Sequence, residues 1–78
     1  MPHISVKMLK GRTEEQKDKI AKTLTNALMD ALSIPNKYIS LTIEDYTKEE
    51  WQEVFKEEVT AKSDNLFIAP DYKPEDLL

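Results

Sequence analysis

From His3 to Met8 apolar and polar side chains alternate, with Ile4, Val6 and Met8 on one side and His3, Ser5 and Lys7 on the other. A period of two belongs to a strand with one buried face. Lys10-Gly11-Arg12 breaks the alternation and holds the chain's one glycine, which predicts a turn or loop. Thr13-Glu14-Glu15-Gln16 has the form of a capping box, with Thr13 at N-cap and Gln16 at N3. The two early acids suit the positive end of a helix dipole. Ile20, Ala21, Leu24, Ala27, Leu28, Ala31 and Leu32 then recur at helical spacing as one broad stripe. This helix is predicted to end near Ser33, two residues before Pro35. A second alternating run, Tyr38 to about Glu44, sets Ile39, Leu41 and Ile43 against Tyr38, Ser40, Thr42 and Glu44. Strand, helix, strand is a β-α-β unit, whose strands run parallel with a right-handed crossover.

Thr47-Lys48-Glu49-Glu50 repeats the capping-box form, and Trp51, Val54, Phe55 and Val59 follow on one helical face. That predicts a second helix to about Asn65. The remainder, rich in Pro, Asp and aromatics, reads as an irregular tail lying over a partner subunit. The fold class is α+β: a β-α-β unit with a second, C-terminal helix. No repeat, low-complexity tract or flexible linker divides the chain, so residues 1–78 are expected to form one domain.

Size changes this picture. A 9.0 kDa chain buries only roughly 60% of its unfolded surface and is marginal by itself. The chain has no cysteine and one histidine, which removes disulfides, thiolate metal sites and His-rich zinc sites as supports. Two strands also leave two open edges, and isolated two-stranded sheets are marginal. Pairing two chains into a four-stranded sheet answers both problems, so at least a dimer is expected. The net charge of −4 disfavours nucleic acid as a partner, since phosphate neutralisation needs a basic surface. No apolar run approaches the ~20 residues needed to span a bilayer, and Met1-Pro2-His3 lacks the features of a signal peptide. No membrane partner and a cytoplasmic location are the expectations.

Candidate chemistry is sparse. One histidine and no cysteine exclude a Cys-His dyad, and one glycine excludes a phosphate-cradling loop. Carboxylate pairs such as Glu44-Asp45 and Glu57-Glu58 read as solvated charges. Among eleven basic residues Arg12 is the only arginine, the side chain suited to bidentate carboxylate binding. The other candidate is the amino terminus. Methionine before proline is normally removed, which would leave Pro2 with a free secondary amine. Free α-amino groups titrate near ~8, and apolar burial or a neighbouring cation lowers that toward the range useful to a general base.

Met1-Pro2, a short strand, the run Leu9-Lys10-Gly11-Arg12-Thr13-Glu14-Glu15-Gln16-Lys17, a long helix and a second strand together resemble the 4-oxalocrotonate tautomerase family. The similarity continues through Ser33-Ile34-Pro35 to about Tyr46. Glu50-Trp51-Gln52 and the Pro70-x-Tyr72 tail resemble a longer subgroup active on phenylpyruvate-type enols. The resemblance implies β-α-β units paired into four-stranded sheets, assembled as dimers or as hexamers of three dimers; the longer subgroup points to a dimer. It implies Pro2 as the general base that moves a proton between enol and keto forms, Arg12 as the binder of a substrate carboxylate, and Trp51 as an aromatic wall of the pocket. No cofactor or metal is implied. Where the family has a second arginine on the second strand, this chain has Ser40. One arginine suits a 2-keto monocarboxylate with an apolar tail better than a dicarboxylate.

His3, beside Pro2, and the hydroxyls of Ser40 and Tyr38 are further candidates for touching substrate. The plainer readings are Arg12 as a surface residue, Trp51 as core, and His3 as a solvent or interface histidine. Two other functions fit the same residues: a hydratase or dehalogenase acting on an unsaturated acid through the same proline, and a non-catalytic acidic dimer that binds a partner.

Overall fold

Parallel strand pairing can be read from two side-chain contacts. His3 meets Ser40, and Lys7 meets Glu44, each across 37 residues of sequence. A constant offset along both strands means that they run in the same direction. The computed structural model describes residues 1–78 and divides them into two compact units, Met1–Asp45 and Tyr46–Leu78.

The first unit is the expected β-α-β arrangement. Strand β1 spans His3–Leu9, helix α1 Glu14–Leu32, and β2 Ser40–Tyr46, whose last residue begins the second unit. The strands form a two-stranded sheet, with Ser40 N–H donating to the Pro2 carbonyl at 3.3 Å where it begins. Both strands turn Ile4, Val6, Leu41 and Ile43 to the more covered side and leave His3, Ser5, Ser40, Thr42 and Glu44 exposed. The N-cap of α1 forms as its sequence predicts: Gln16 N–H donates to Thr13 Oγ1 at 3.1 Å, and Thr13 N–H to Gln16 Oε1 at 2.9 Å. At the other end Ser33 takes a left-handed conformation (φ 56°), and the N–H groups of Ser33 and Ile34 both turn back to the Met29 carbonyl.

Three expectations for this unit are corrected. Tyr38 does not open β2. It closes a 3₁₀ turn, Asn36–Tyr38, set by Pro35, and Tyr38 and Ile39 donate their N–H groups to Pro35 and Asn36 carbonyls instead of to a ladder. The strand accordingly starts at Ser40 and runs on to Tyr46, past Glu44. Glu44 and Asp45 are not simple solvated charges either. Glu44 pairs with Lys7 across the sheet at 3.0 Å, and Asp45, its side chain 22% exposed, pairs with Lys17 of α1 at 2.5 Å. The Asp45 pair ties the end of β2 to the start of α1 and raises the Lys17 pKa above its ordinary value, chiefly through the hydrogen bond to Asp45.

No residue of the first unit is fully buried. Leu24 and Leu32, on the apolar stripe of α1, remain exposed. Each therefore realises only part of the roughly 1.5–3 kcal/mol that complete burial of a leucine provides.

In the second unit α2 spans Lys48–Phe55 and carries the one buried side chain, Val54. Its capping box also forms, with Glu50 N–H to Thr47 Oγ1 at 3.1 Å and Thr47 N–H to Glu50 Oε1 at 2.8 Å. The α-helix stops ten residues short of Asn65. It widens into a π turn over Lys56–Thr60 and ends in a 3₁₀ turn, Ser63–Asn65. The β-branched pair Val59-Thr60 loses side-chain freedom in a helix, consistent with unwinding there.

The tail is less irregular than its composition suggests and folds back on its own helix. Trp51 Nε1 donates to the Tyr72 hydroxyl at 2.9 Å, Gln52 Nε2 donates to the Pro74 carbonyl at 2.8 Å, and the Phe55 and Tyr72 rings meet edge to face with centroids 5.6 Å apart. Away from those contacts Phe67 is 98% and Ile68 87% exposed.

Candidate active site

Strand β1 governs the geometry of the candidate residues. Pro2 immediately precedes it, and its carbonyl is held by Ser40 N–H. Arg12 follows it, and its guanidinium folds back so that Nη1 donates to the Leu9 carbonyl at 3.2 Å. Seven residue steps at about 3.3 Å each separate Pro2 from Leu9 by about 23 Å. Ten positions apart in sequence, the proline and the arginine thus lie at opposite ends of the unit, and no small substrate touches both within one chain.

The Arg12 end is shaped by Gly11, whose φ of 127° strongly disfavours a side chain, and by Thr13 at the N-cap of α1. No acid pairs with Arg12: Glu14 contacts Lys17, and the one hydrogen bond that Arg12 makes is to the Leu9 carbonyl. The exposed guanidinium keeps donors for an incoming carboxylate.

At the other end His3, Ser40 and Tyr38 gather around the start of the sheet. His3 Nδ1 lies 2.7 Å from Ser40 Oγ, and His3 Nε2 lies 3.4 Å from Thr42 Oγ1, a hydroxyl that the strand pattern did not single out. The Met1 amino group donates to the Tyr38 carbonyl. The Tyr38 ring is exposed and lies under the Lys37 ammonium, 5.0 Å from the centroid. Trp51 belongs to the second unit, where its indole is engaged by Tyr72 and its ring stands 6.3 Å from Tyr46. The structure thus brings His3 and Ser40 together beside Pro2 and separates all three from Arg12.

Comparison with known proteins decides the family. The family profile described as "Tautomerase enzyme" matches residues 2–60, beginning at Pro2. This chain belongs to the tautomerase family. It is 32% identical over 73 residues to a probable tautomerase of Xylella fastidiosa, covering 92% of this chain and 89% of that one. It is 39% identical over 51 residues to a 2-hydroxymuconate tautomerase of Comamonas testosteroni, covering 65% and 81%. A solved 4-oxalocrotonate tautomerase isozyme of Methylibium petroleiphilum superposes with a TM-score of 0.61 at 36% identity, over 64% of this chain and 81% of that one. The expected α+β fold of the 4-oxalocrotonate tautomerase family is therefore the observed one, and the protein is an isomerase with tautomerase activity. No helix is long and apolar enough to cross a membrane.

Proposed function

We propose that this tautomerase ketonises the enol of a 2-keto monocarboxylate with an apolar or aromatic tail, phenylpyruvate being the type, and that Pro2, freed by removal of Met1, is the base. The observation that carries this reading is that the family match starts at Pro2, at the end of the sheet where the chain's amino terminus lies. Met1 is 89% exposed, open to the aminopeptidase that must remove it. While Met1 is attached, the Pro2 nitrogen is an amide and has no basicity.

The proton balance is simple. The neutral Pro2 nitrogen takes the enol O–H proton, the O–H electron pair forms the C=O bond, and the C=C electrons move to the adjacent carbon. The Pro2 ammonium then delivers its proton to that carbon, restoring the base. Arg12 holds the substrate carboxylate and offsets the negative charge that develops on the enolate, commonly the largest catalytic effect.

The length of β1 supports a second copy as the source of that arginine. A substrate at Pro2 is out of reach of Arg12 of the same chain, so Arg12 of a second copy supplies it. Two β1 strands meeting antiparallel about a two-fold axis bring each Pro2 beside the other chain's Arg12. The same pairing removes an open sheet edge and covers a unit that has no fully buried residue. A homodimer is the smallest assembly that meets both needs. Ser40, polar but uncharged and bonded to His3, offers no cation to a second carboxylate, which favours a monocarboxylate over the dicarboxylate named for the Comamonas relative.

The test follows enol-phenylpyruvate absorbance with protein whose intact mass shows Met1 removed. The reading requires loss of the enol faster than in buffer, and loss of that acceleration in Pro2→Ala. Full acceleration in Pro2→Ala sinks the proline mechanism.

A further inference from the structure

The exposed side of the β1–β2 sheet carries two cross-strand polar clusters of different character. The first is closed: Lys7 Nζ donates to Glu44 Oε1 and to Ser5 Oγ, both at 3.0 Å, so cation and anion answer each other. The second is open. His3 is held at both ring nitrogens by β2 hydroxyls, Ser40 at 2.7 Å and Thr42 at 3.4 Å, and its two partners are neutral. The backbone hydrogen bond from Ser40 N–H to the Pro2 carbonyl fixes this cluster one residue from the proline.

A neutral imidazole has one N–H and one acceptor nitrogen, so the two hydroxyls cannot play the same part. With the proton on Nδ1, His3 donates to Ser40 Oγ at the shorter contact and accepts the Thr42 hydroxyl proton at Nε2. The Ser40 O–H is then committed to neither strand and is available to a third group. With the proton on Nε2, Ser40 must give its own proton to His3 and has only lone pairs left. The first arrangement is the one that leaves Ser40 a proton for a substrate oxygen.

Building on the tautomerase reading, we propose that the Ser40 hydroxyl is a catalytic donor to the 2-oxygen of the substrate as that oxygen gains charge, and that His3 is the positioning residue that aims it. Ser40 is a neutral donor. It contributes to enolate stabilisation without attracting a second carboxylate, so stabilisation and substrate choice arise from one side chain.

Removing a donor that acts on developing charge lowers kcat while leaving KM nearly unchanged. Ser40→Ala is therefore expected to lower kcat on enol-phenylpyruvate by about 10- to 100-fold, at or below the lower end of what loss of an oxyanion donor causes, because the site is exposed. His3→Ala is expected to lower it comparably and to add little in the double variant, since the two side chains act as one unit. Ser40→Thr, which restores a hydroxyl, is expected to recover part of the lost rate.

His3 is the only histidine, so imidazole ¹⁵N shifts of the protein report this ring alone, with or without 2-oxophenylacetate, a 2-keto acid with no enolisable proton. Protonation at Nδ1 in the bound state agrees with the proposal, and protonation at Nε2 overturns it. An unchanged kcat in Ser40→Ala, or a rise in KM alone, also overturns it while leaving the proline mechanism standing. Absence of any Pro2-dependent turnover overturns both.

Discussion

Two inactive variants should make an active enzyme when their chains are mixed. In one chain Pro2 and the Leu9 carbonyl that holds Arg12 are about 23 Å apart, the span of seven strand residues. A site using both must take them from different chains. On the proposed mechanism Pro2→Ala removes the base from every site and Arg12→Ala the carboxylate anchor, so each variant alone should be impaired. When the two are co-expressed in equal amounts, a site draws its proline from one chain and its arginine from another. Both are intact about one time in four in a symmetric assembly with chains drawn at random. Specific activity should therefore recover to about a quarter of that of the unaltered protein, and to about half in mixed dimers isolated through two different affinity tags. The assay is the loss of enol-phenylpyruvate absorbance, normalised to total chain. Co-expressed material no more active than the average of the two parents would refute the shared site, because a site contained within one chain cannot be restored by mixing.

Three further outcomes follow from local geometry. Ser33 adopts φ 56° at the end of α1. Ser33→Gly relieves about 1–2 kcal/mol of left-handed strain, offset in part by glycine's greater freedom in the unfolded chain, for a net gain of about 0.5–1 kcal/mol in the denaturant midpoint analysis. Tyr72→Phe removes the acceptor of the Trp51 indole but keeps the ring against Phe55. It should cost about 0.5–1.5 kcal/mol and shift the emission of the chain's only tryptophan. Lys17 has its pKa raised above 10.5 by Asp45. A group raised on folding stabilises the fold fully below its unfolded pKa and loses that contribution as pH rises through the folded value. Thermal melts on either side of pH 10.5 should therefore show an alkaline fall in stability that is smaller in Lys17→Met.

The parts of the fold legible in the sequence are those fixed by short-range chemistry. Both capping boxes form at the residues that announced them, Thr13 with Gln16 and Thr47 with Glu50, because such a motif satisfies helix N–H groups within four residues. Strand alternation located β1 and the core of β2 for the same reason. Its limit appears at Tyr38, where polar and apolar residues still alternate but Pro35 diverts the backbone into a 3₁₀ turn. Asp45 is a different failure. Its neighbour Glu44 points to the other side of the strand, so the pair looked like surface charge, and only the return of α1 brings Lys17 to it. The tail misled because composition reports disorder-prone residue types and not the long-range partners, Trp51 and Gln52, that hold Tyr72 and Pro74.

The candidate site was legible as a set of residues but not as a place. Pro2 and Arg12 stand ten positions apart, a separation that would span about 15 Å in a helix and exceeds 20 Å along a strand. Resemblance to a family names the residues, yet it is the extended backbone of β1 that forbids them to meet in one chain. The same strand is half of a two-stranded sheet with open edges, in a unit where no side chain is fully buried. On the proposed reading, shortage of core and the separation of Pro2 from Arg12 have one remedy. In the proposed homodimer, pairing of β1 with its copy completes the sheet and brings Arg12 to Pro2 together, so that the proposed site would exist only where that assembly exists.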